Sequence, residues 1–324
     1  MTTALNIVLL LIGLVALLVG AQLVVHFGAF LAQRLRVPPI IIGLTIVSIG
    51  TSLPELAVSI EGMLKGSGNL VLGNIVGTNI VNLLLVLGLS AVISPIVIQR
   101  ATLRLDLPAM VGASVLLWVV AIWGGDLTTI EGAVLLLLGV VYFWRVLATS
   151  RTRGEEPEAD QTQKAPNPGR KYALRDTGLL LVGLVIIVVG AQFLVGGAVG
   201  LAESLGISQT LIGLTVVAIG TSAPEIATTI VATIKGERSI AIGNLIGSST
   251  LNLTVILGAS LLFGPHQVVI DQALIRVDLP VMVGVALICV PVFAIGKRVS
   301  RWEGALMVAA YAAYLSYLIV QAVA

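Results

Sequence analysis

The sequence predicts an all-α polytopic membrane protein, with ten transmembrane helices arranged as two inverted five-helix repeats. The composition, the spacing of the apolar stretches and an internal duplication all indicate this fold. Of the 324 residues, 57% are hydrophobic and 10% are charged, and the mean hydropathy is +1.08. A soluble domain is typically about 25% charged. The composition therefore excludes an ordinary cytosolic enzyme.

Ten apolar stretches, separated by short polar turns, approach or exceed the roughly 20 residues that cross a bilayer. The predicted spans are 4–25, 38–61, 70–93, 106–123, 128–147, 175–198, 208–233, 241–263, 278–295 and 303–322. No basic residue precedes the first stretch, which is also too long for the core of a signal peptide. We therefore expect it to be retained as a span.

The least apolar segment separates the fifth and sixth spans. It covers 150–176 and contains the acidic run 154–160, a composition typical of a flexible linker. The sequence thus predicts a first repeat at 1–149, a linker at 150–176 and a second repeat at 177–324.

The Lys and Arg residues are distributed unequally between the two sides of the predicted bundle. Of the 18, all but Lys65 and Arg276 lie in or beside the connections on the linker side. Because Lys and Arg are retained on the cytoplasmic face, we expect a multi-pass protein of the inner (plasma) membrane. Its linker would be cytoplasmic and both termini would lie outside.

The two halves of the chain repeat one another. At an offset of 170 residues, the blocks at 44–45, 50–52, 54–55 and 73–74 recur, as does Asn82. At an offset of 172, Arg-Leu-Asp-Leu-Pro at 104–108 recurs as Arg-Val-Asp-Leu-Pro at 276–280. Arg104 and Asp106, like their repeats, are expected to form local pairs or interfacial anchors. With five spans each, the halves enter the membrane from opposite faces, as in many secondary transporters whose substrate sites lie at the repeat interface.

Two carboxylates lie at predicted membrane depth within these repeats. Thr51 and Ser52 stand four and three residues before Glu55, so a helix places their oxygens on one face. The second repeat carries the same arrangement in Thr221, Ser222 and Glu225. A membrane carboxylate costs about 2.5 to 3.5 kcal/mol on insertion scales and normally has a functional role. The alternative is a neutral Glu that hydrogen-bonds between helices.

A proline precedes each carboxylate. Pro54 has no amide hydrogen for the carbonyl of Gly50, so a helix break is predicted there, and Pro224 repeats it. Carbonyls freed within a membrane must face protein or water, and the negative end of a half-helix suits a cation. Ser48 and Ala218, one turn before the breaks, are predicted to offer main-chain oxygens. A proline kink that merely shapes the helix is the alternative.

A second duplicated block, Gly-Asn-x-x-Gly, lies in spans three and eight. Its glycines at 73, 77, 243 and 247 are typical of close helix packing. Four-residue spacing places two neutral oxygens on one face of each helix, from Thr78 with Asn82 and from Ser248 with Asn252. The block's own asparagines, Asn74 and Asn244, are expected to tie helices together.

The predicted ligands are all oxygens: two carboxylates with hydroxyls, amides and carbonyls. Ca²⁺ takes roughly six to eight such ligands in flexible cages, whereas soft metals prefer sulfur and nitrogen. The single cysteine, Cys289, excludes both an intramolecular disulfide and a cysteine metal cluster. The pattern therefore indicates a site for a hard cation.

On the duplicated Gly-Thr-Ser-x-Pro-Glu and Gly-Asn-x-x-Gly blocks, the sequence resembles the Ca²⁺/cation antiporter superfamily, specifically the prokaryotic Na⁺/Ca²⁺ exchanger branch. The resemblance covers all ten predicted spans. It implies that the first blocks supply the central Glu with hydroxyl and carbonyl ligands, and that the second blocks supply a hydroxyl and an amide. Two departures are Thr78, where Ser is commoner, and Asn252, where some relatives carry Asp. The resemblance also implies alternating access, in which spans one and six slide past the bundle.

The resulting expectation is an antiporter that exchanges Ca²⁺ for Na⁺ and normally extrudes Ca²⁺. A proton-coupled Ca²⁺ exchanger is the nearest alternative, and a channel is another. An intramembrane hydrolase is disfavoured, because the motif around Ser52 is not Gly-x-Ser-x-Gly and no His lies at membrane depth. We expect the lipid bilayer to surround the protein and Ca²⁺ and Na⁺ to be its substrates, and we expect no cofactor, nucleic acid or protein partner.

Overall fold

The computed structural model describes residues 3–150, 170–206 and 218–323. Most of the predicted linker, 151–169, lies outside the described residues, as does the start of the predicted span 208–233, at 208–217.

Helices dominate the described chain. In the first half they are α1 (Thr3–Leu35), α2 (Pro39–Thr51), α3 (Leu53–Leu64), α4 (Gly68–Ile93), α5 (Thr102–Gly124) and α6 (Thr129–Ala148). In the second half they are α7 (Arg170–Ser204), α8 (Ala218–Thr221), α9 (Ala223–Ile234), α10 (Arg238–Phe263), α11 (Leu274–Ala294) and α12 (Arg301–Val323). Four short strands lie in the connections: β1 (Ile96–Val97), β2 (Asp126–Thr128), β3 (Gln267–Val269) and β4 (Arg298–Val299).

Eight of the described helices are long and apolar enough to cross a membrane, and α2 and α3 together make a ninth candidate. The axes of α2 and α3 differ by 45°. The helix α9 is apolar but shorter, and the residues before α8 lie outside the described chain. The protein is thus an all-helical, multi-pass membrane protein.

Helices α1 and α7 extend beyond their predicted spans. Helix α1 continues from the predicted end at residue 25 to Leu35, and α7 begins at Arg170, inside the segment assigned to the linker. The extensions meet in an ion pair between Arg34 and Asp176, whose side chains are almost fully buried. Tyr172 lies under the guanidinium of Arg34, 5.4 Å from it. Hydropathy alone ended these helices too early, because their last turns are polar but paired.

The same two helices cross at very short distance along most of their length. A Cβ placed on Gly13 would lie 2.4 Å from the backbone nitrogen of Leu194, and one on Gly190 would lie 2.8 Å from the Cβ of Ala16. Gly20 and Gly183 make a similar contact one level further along the pair. Small residues permit such close approach between membrane helices, so α1 and α7 pack as one unit.

The remaining helices pack around a large apolar core formed mainly by α4, α5, α10 and α11. Two matched glycine crossings join its outer helices to the opposite half of the chain. Gly88 of α4 packs against Gly304 of α12, and Gly258 of α10 packs against Gly132 of α6. The second crossing lies 170 or 172 residues from the first, with the halves exchanged.

The strand pairs show the same exchange between the halves. Antiparallel pairing joins β1 to β4, with Ile96 opposite Val299, and β2 to β3, with Leu127 opposite Val268. Adding 172 to the first two positions, and exchanging halves, gives the second two. Strand β1 follows α4 and β4 follows α11, whereas β2 follows α5 and β3 follows α10. Each pair therefore joins two connections at one end of the bundle.

The duplicated aspartates pair with tyrosines. The hydroxyl of Tyr142 donates to Asp106 over 3.1 Å, and that of Tyr314 donates to Asp278 over 2.7 Å. Each bond ties a π-helical first turn, at Thr102–Asp106 or Leu274–Asp278, to the helix that follows. The tyrosines recur at the same 172-residue offset, a signal that the sequence interpretation, which considered only Arg104 and Arg276, did not use.

Candidate cation-binding site

The predicted breaks position the two carboxylates. Helix α2 ends at Thr51, and Ser52 leaves the helical conformation with φ −88° and ψ 7°. Helix α3 starts immediately after it and carries Pro54 and Glu55 in its first turn. The second half repeats this geometry, with Ser222 at φ −84° and ψ 4° before α9. The predicted break beside Pro54 is confirmed, and each carboxylate lies at the positive end of a helix dipole, which stabilises negative charge.

Both carboxylates are fully buried and lie close enough to interact electrostatically. The hydroxyl of Ser52 donates to Oε1 of Glu225 over 3.1 Å, a bond that crosses between the halves. Neither oxygen of Glu55 has a hydrogen-bond partner, and neither has Oε2 of Glu225. Because buried carboxylates are costly unless paired, these oxygens are well suited to binding a cation.

Several neutral oxygens from the predicted set are in the same condition. Asn82 and Asn252 are fully buried, and neither amide has a hydrogen-bond partner. The hydroxyls of Thr78 and Ser222 are also buried without one. Most buried side-chain polar atoms in proteins have a partner. This set of oxygens therefore fits the chemistry of a hard cation that supplies the missing interaction.

The two amide positions coincide with irregular helix geometry. Asn82 lies in the π-helical segment Val81–Val86, and Asn252 opens the matching segment Asn252–Ile256. Such wider turns are frequent at functional sites in proteins. They were not predicted, because the sequence of a π-helical turn differs little from that of an α-helix.

Threonine hydroxyls connect the broken helices to the opposite half. Thr51 donates to Oδ1 of Asn244 over 3.2 Å, and its oxygen lies 3.5 Å from that of Ser248. The matching hydroxyl of Thr221 donates to Oδ1 of Asn74 over 3.5 Å. The structure therefore brings Thr51 and Ser248 together and supports the expected role of the two asparagines in joining helices.

The main-chain oxygens predicted one turn earlier have different standing. The carbonyl of Ser48 accepts from the amide of Ser52 at 3.1 Å and from the hydroxyl of Thr51 at 3.4 Å. The Ser48 hydroxyl bonds back to the carbonyl of Leu44 at 2.6 Å. Ser48 can therefore reach a cation only through the second side of its carbonyl. Ala218 is the first residue of α8, and its contacts lie outside the described interactions.

One buried contact in this region was missed by the sequence interpretation. The amide Nδ2 of Asn244 donates to the hydroxyl of Thr229 over 3.1 Å. Asn244 thus links Thr51 of α2 to Thr229 of α9. The position of Thr229, four residues after Glu225 on the same helix face, was an available signal.

Glu55 and Glu225 account for the acidic character of the site. Within the described parts of the chain, no group of three His, Cys, Asp or Glu side chains is arranged to hold a metal ion. Two carboxylates supply a formal charge of −2, which matches one divalent cation. The remaining candidate ligands are neutral, so the arrangement suits a cation held weakly enough to leave again.

A sodium/calcium exchanger family model matches residues 5–148 and again 176–320. The chain is a member of the sodium/calcium exchanger protein family. The two matches cover both halves of this exchanger-family protein and leave out most of the linker segment.

Similar proteins extend over nearly the whole chain. The sodium/calcium exchanger MaX1 of Methanosarcina acetivorans is 32% identical over 97% of this chain and 98% of its own. The putative antiporter CaxA of Alkalimonas amylolytica is 35% identical, over 95% and 96%. The inner membrane protein YrbG of Escherichia coli is 36% identical, over 86% of each chain.

The fold of this family member also matches a solved exchanger. The sodium-calcium exchanger NCX_Mj, from crystals soaked with 10 mM Na⁺ and no Ca²⁺, superposes with a TM-score of 0.84. The sequence identity is 29%, and the match covers 97% of this chain and 99% of the other. The predicted membership of the Na⁺/Ca²⁺ exchanger branch is thus confirmed.

Proposed function

We propose that this protein is a secondary active antiporter that exchanges Ca²⁺ for Na⁺ by alternating access and normally extrudes Ca²⁺. The observation that carries the proposal is the pair of buried carboxylates, Glu55 and Glu225, on duplicated broken helices. Proteins named sodium/calcium exchangers among its relatives support the same choice of ions.

The proposed ion site contains twelve residues from four broken or irregular helices. They are Ser48, Thr51, Ser52, Glu55, Thr78, Asn82, Ala218, Thr221, Ser222, Glu225, Ser248 and Asn252. Ca²⁺ would bind between the two carboxylates, where the charges balance. Na⁺ ions would divide the same oxygens into smaller sets, so that the two substrates compete. No covalent step is needed, because the free energy comes from the Na⁺ gradient.

The proposed transport cycle uses ten transmembrane segments in two inverted repeats, 1–149 and 177–324, joined by the linker 150–176. The exchanged strand pairing and the two matched glycine crossings support this arrangement. An inverted pair of repeats allows the molecule to open to either side by exchanging the conformations of its halves.

The proposed orientation places the linker in the cytoplasm and both termini outside. It is supported by the Lys and Arg distribution, since only Lys65 and Arg276 lie on the opposite side. With this orientation, Ca²⁺ enters the site from the linker side and leaves from the side of the termini.

The test is Ca²⁺ flux into proteoliposomes that contain the purified protein. Gradients of Na⁺, K⁺ and H⁺ are imposed separately, each with the other two ions equal on both sides. We expect radioactive Ca²⁺ to accumulate only against an outward Na⁺ gradient. Accumulation that follows the H⁺ gradient alone would show a proton-coupled exchanger, and Ca²⁺ equilibration without any gradient would indicate a channel.

A further inference from the structure

The two halves of the molecule are packed differently in this structure. Helix α1 lies against α9, and residues of both contribute to one buried apolar cluster. The matching pair, α7 and α3, has no comparable packing, and both of these helices belong to the described residues. Accordingly, Thr228 on α9 is fully buried, whereas Val58 at the matched position on α3 is 37% exposed. Ala223 and Leu53, another matched pair, are 7% and 48% exposed.

The hydrogen bonds beside the carboxylates differ in the same sense. On the packed side, Asn244 accepts from Thr51 at 3.2 Å and donates to Thr229 at 3.1 Å. This bridge is fully buried and ties α2, α10 and α9 together.

On the open side, the equivalent residues are Thr221, Asn74 and Ser59. Thr221 donates to Oδ1 of Asn74 at the longer distance of 3.5 Å. The Nδ2 of Asn74 has no partner, and neither has the buried hydroxyl of Ser59, which matches Thr229. One bridge is therefore complete and its repeat-related counterpart is half made.

We propose that Asn244 and Asn74 are positioning residues that complete their bridges in turn during the transport cycle. The bridge of Asn244 stabilises the state seen here, in which α1 packs on α9. The bridge of Asn74 to Thr221 and Ser59 stabilises the opposite state, in which α7 packs on α3. This inference rests on the alternating access of the proposed function, but it does not depend on which ions are exchanged.

The physical basis is the cost of leaving a buried donor or acceptor unpaired, which exceeds the small net gain from forming the bond. In the present state this cost falls on Asn74 and Ser59. After the halves exchange conformations, it falls on Asn244 and Thr229. The two asparagines therefore bias the equilibrium in opposite directions, although neither belongs to the proposed ligand set.

The test uses single reporter cysteines at the matched positions, Val58→Cys and Thr228→Cys, in a Cys289→Ala background. Each reporter lies three residues after a carboxylate, on the same helix face. The rate of labelling by a hydrophilic maleimide is measured on protein in detergent, where both sides are accessible. The parent protein should label faster at 58 than at 228.

Asn244→Ala is expected to raise the labelling rate at 228 by about threefold to tenfold, the range for losing one or two buried hydrogen bonds. It should not raise the rate at 58. The matched variant Asn74→Ala should not raise the rate at 228, because it weakens the opposite state. The proposal is wrong if Asn244→Ala leaves 228 unchanged, if it accelerates both sites together, or if Asn74→Ala accelerates 228 equally.

A second matched pair covers the case in which Asn244→Ala does not fold. Thr229→Val removes the acceptor of the complete bridge, and Ser59→Ala removes a hydroxyl without a partner. With reporters Ala223→Cys and Leu53→Cys, only Thr229→Val should raise labelling at 223. Equal effects of the two variants would contradict the proposal. Ion-gradient flux on the same proteins tests the ion assignment separately, since labelling requires no transported ion.

Discussion

Glu55 and Glu225 occupy matched positions but have different surroundings. Glu225 accepts a hydrogen bond from Ser52 across the halves, whereas neither oxygen of Glu55 has a partner. In the proposed mechanism, Glu225 is already oriented by the protein and Glu55 is oriented mainly by the cation. Both charges are nevertheless needed, because together they balance one divalent ion.

The first prediction concerns the charge of this pair. Glu55→Gln or Glu225→Gln keeps the shape of the side chain but leaves a single negative charge. Breaking a buried charge interaction typically costs about 3 to 5 kcal/mol, so Ca²⁺ transport should fall a hundredfold or more. Radioactive Ca²⁺ flux into proteoliposomes measures the loss, and gel filtration checks the fold.

Glu61→Gln is the matched control. Glu61 lies on the same helix as Glu55 but is exposed and paired with Lys65 at 2.6 Å. Its replacement should leave the flux near that of the parent. Normal Ca²⁺ flux in both Glu55→Gln and Glu225→Gln would refute the site assignment.

The second prediction concerns Asn252. Asn252→Asp adds a negative charge at a buried position whose amide has no partner. The extra charge should tighten monovalent cation binding, or introduce sensitivity to K⁺, or to pH if the new carboxylate takes up a proton. The measurement is the Na⁺ concentration that half-inhibits Ca²⁺ uptake, at several pH values and with or without K⁺. Behaviour identical to that of the parent in all these conditions would remove Asn252 from the ligand set.

At the scale of elements, α1 and α7 form the closest helix pair of the molecule. Their glycines bring the backbones together, and the Arg34–Asp176 pair joins their ends on the linker side. This packing is consistent with the sliding of spans one and six as one body, which the family resemblance implies. The bent pair α2 and α3 instead holds its shape through Pro54.

The third prediction tests the close packing of α1 on α7. In Gly13→Ala, the new Cβ would lie 2.4 Å from the Leu194 nitrogen and 2.7 Å from the Gly190 carbonyl oxygen. Overpacking of this kind costs about 1 to 3 kcal/mol. Thermal unfolding in detergent should therefore occur at a lower temperature.

Gly178→Ala is the control on the partner helix. Gly178 is exposed, and a Cβ there would meet nothing within 4 Å. Alanine is favoured over glycine in helices by about 1 kcal/mol, so this variant should be unchanged or slightly more stable. Equal unfolding temperatures for the two variants would contradict the packing argument.

For the whole molecule, the placement of charge determines both the orientation and the electrical character of transport. The Lys and Arg residues lie mainly on the linker side, and the proposed site carries two formal charges. These properties lead to one prediction about topology and one about K⁺.

The topology prediction is that the linker is cytoplasmic and both termini are outside. Cysteines introduced at the linker and at the C-terminus, in a background that lacks Cys289, should react with an impermeant reagent from opposite faces of the membrane. Intact cells label only the terminal cysteine, and inverted vesicles label only the linker. Labelling of both cysteines from one face would rule this topology out.

The K⁺ prediction follows from the charge of the site. Glu55 and Glu225 balance one Ca²⁺, so a further large cation would leave net positive charge in a low-dielectric region, which is costly. Exchange should therefore be independent of K⁺ and should generate current when several Na⁺ move against one Ca²⁺. Na⁺-driven Ca²⁺ flux is compared with K⁺ present and with K⁺ replaced by an inert cation. Loss of flux on removing K⁺ would overturn the charge argument.

Much of this molecule follows from local sequence. Apolar length and composition determined that the chain is a multi-pass membrane protein, because lipid leaves few alternatives to a helix. The duplicated Pro and Glu positions determined the break at Ser52 and the family, because a missing amide hydrogen and a membrane carboxylate each have strong local effects. Asn82 and Asn252 were identified by four-residue spacing alone.

Only the tertiary structure decided which residues meet across the halves. The bonds from Ser52 to Glu225 and from Thr51 to Asn244 join positions 173 and 193 residues apart, and no local pattern specifies such pairs. The polar extensions of α1 and α7 were missed because the Arg34–Asp176 pair, 142 residues apart in sequence, makes their burial tolerable. The difference between the complete Asn244 bridge and the incomplete Asn74 bridge is also tertiary: matched sequence blocks can predict both bridges, but the packing of α1 on α9 determines which one is formed.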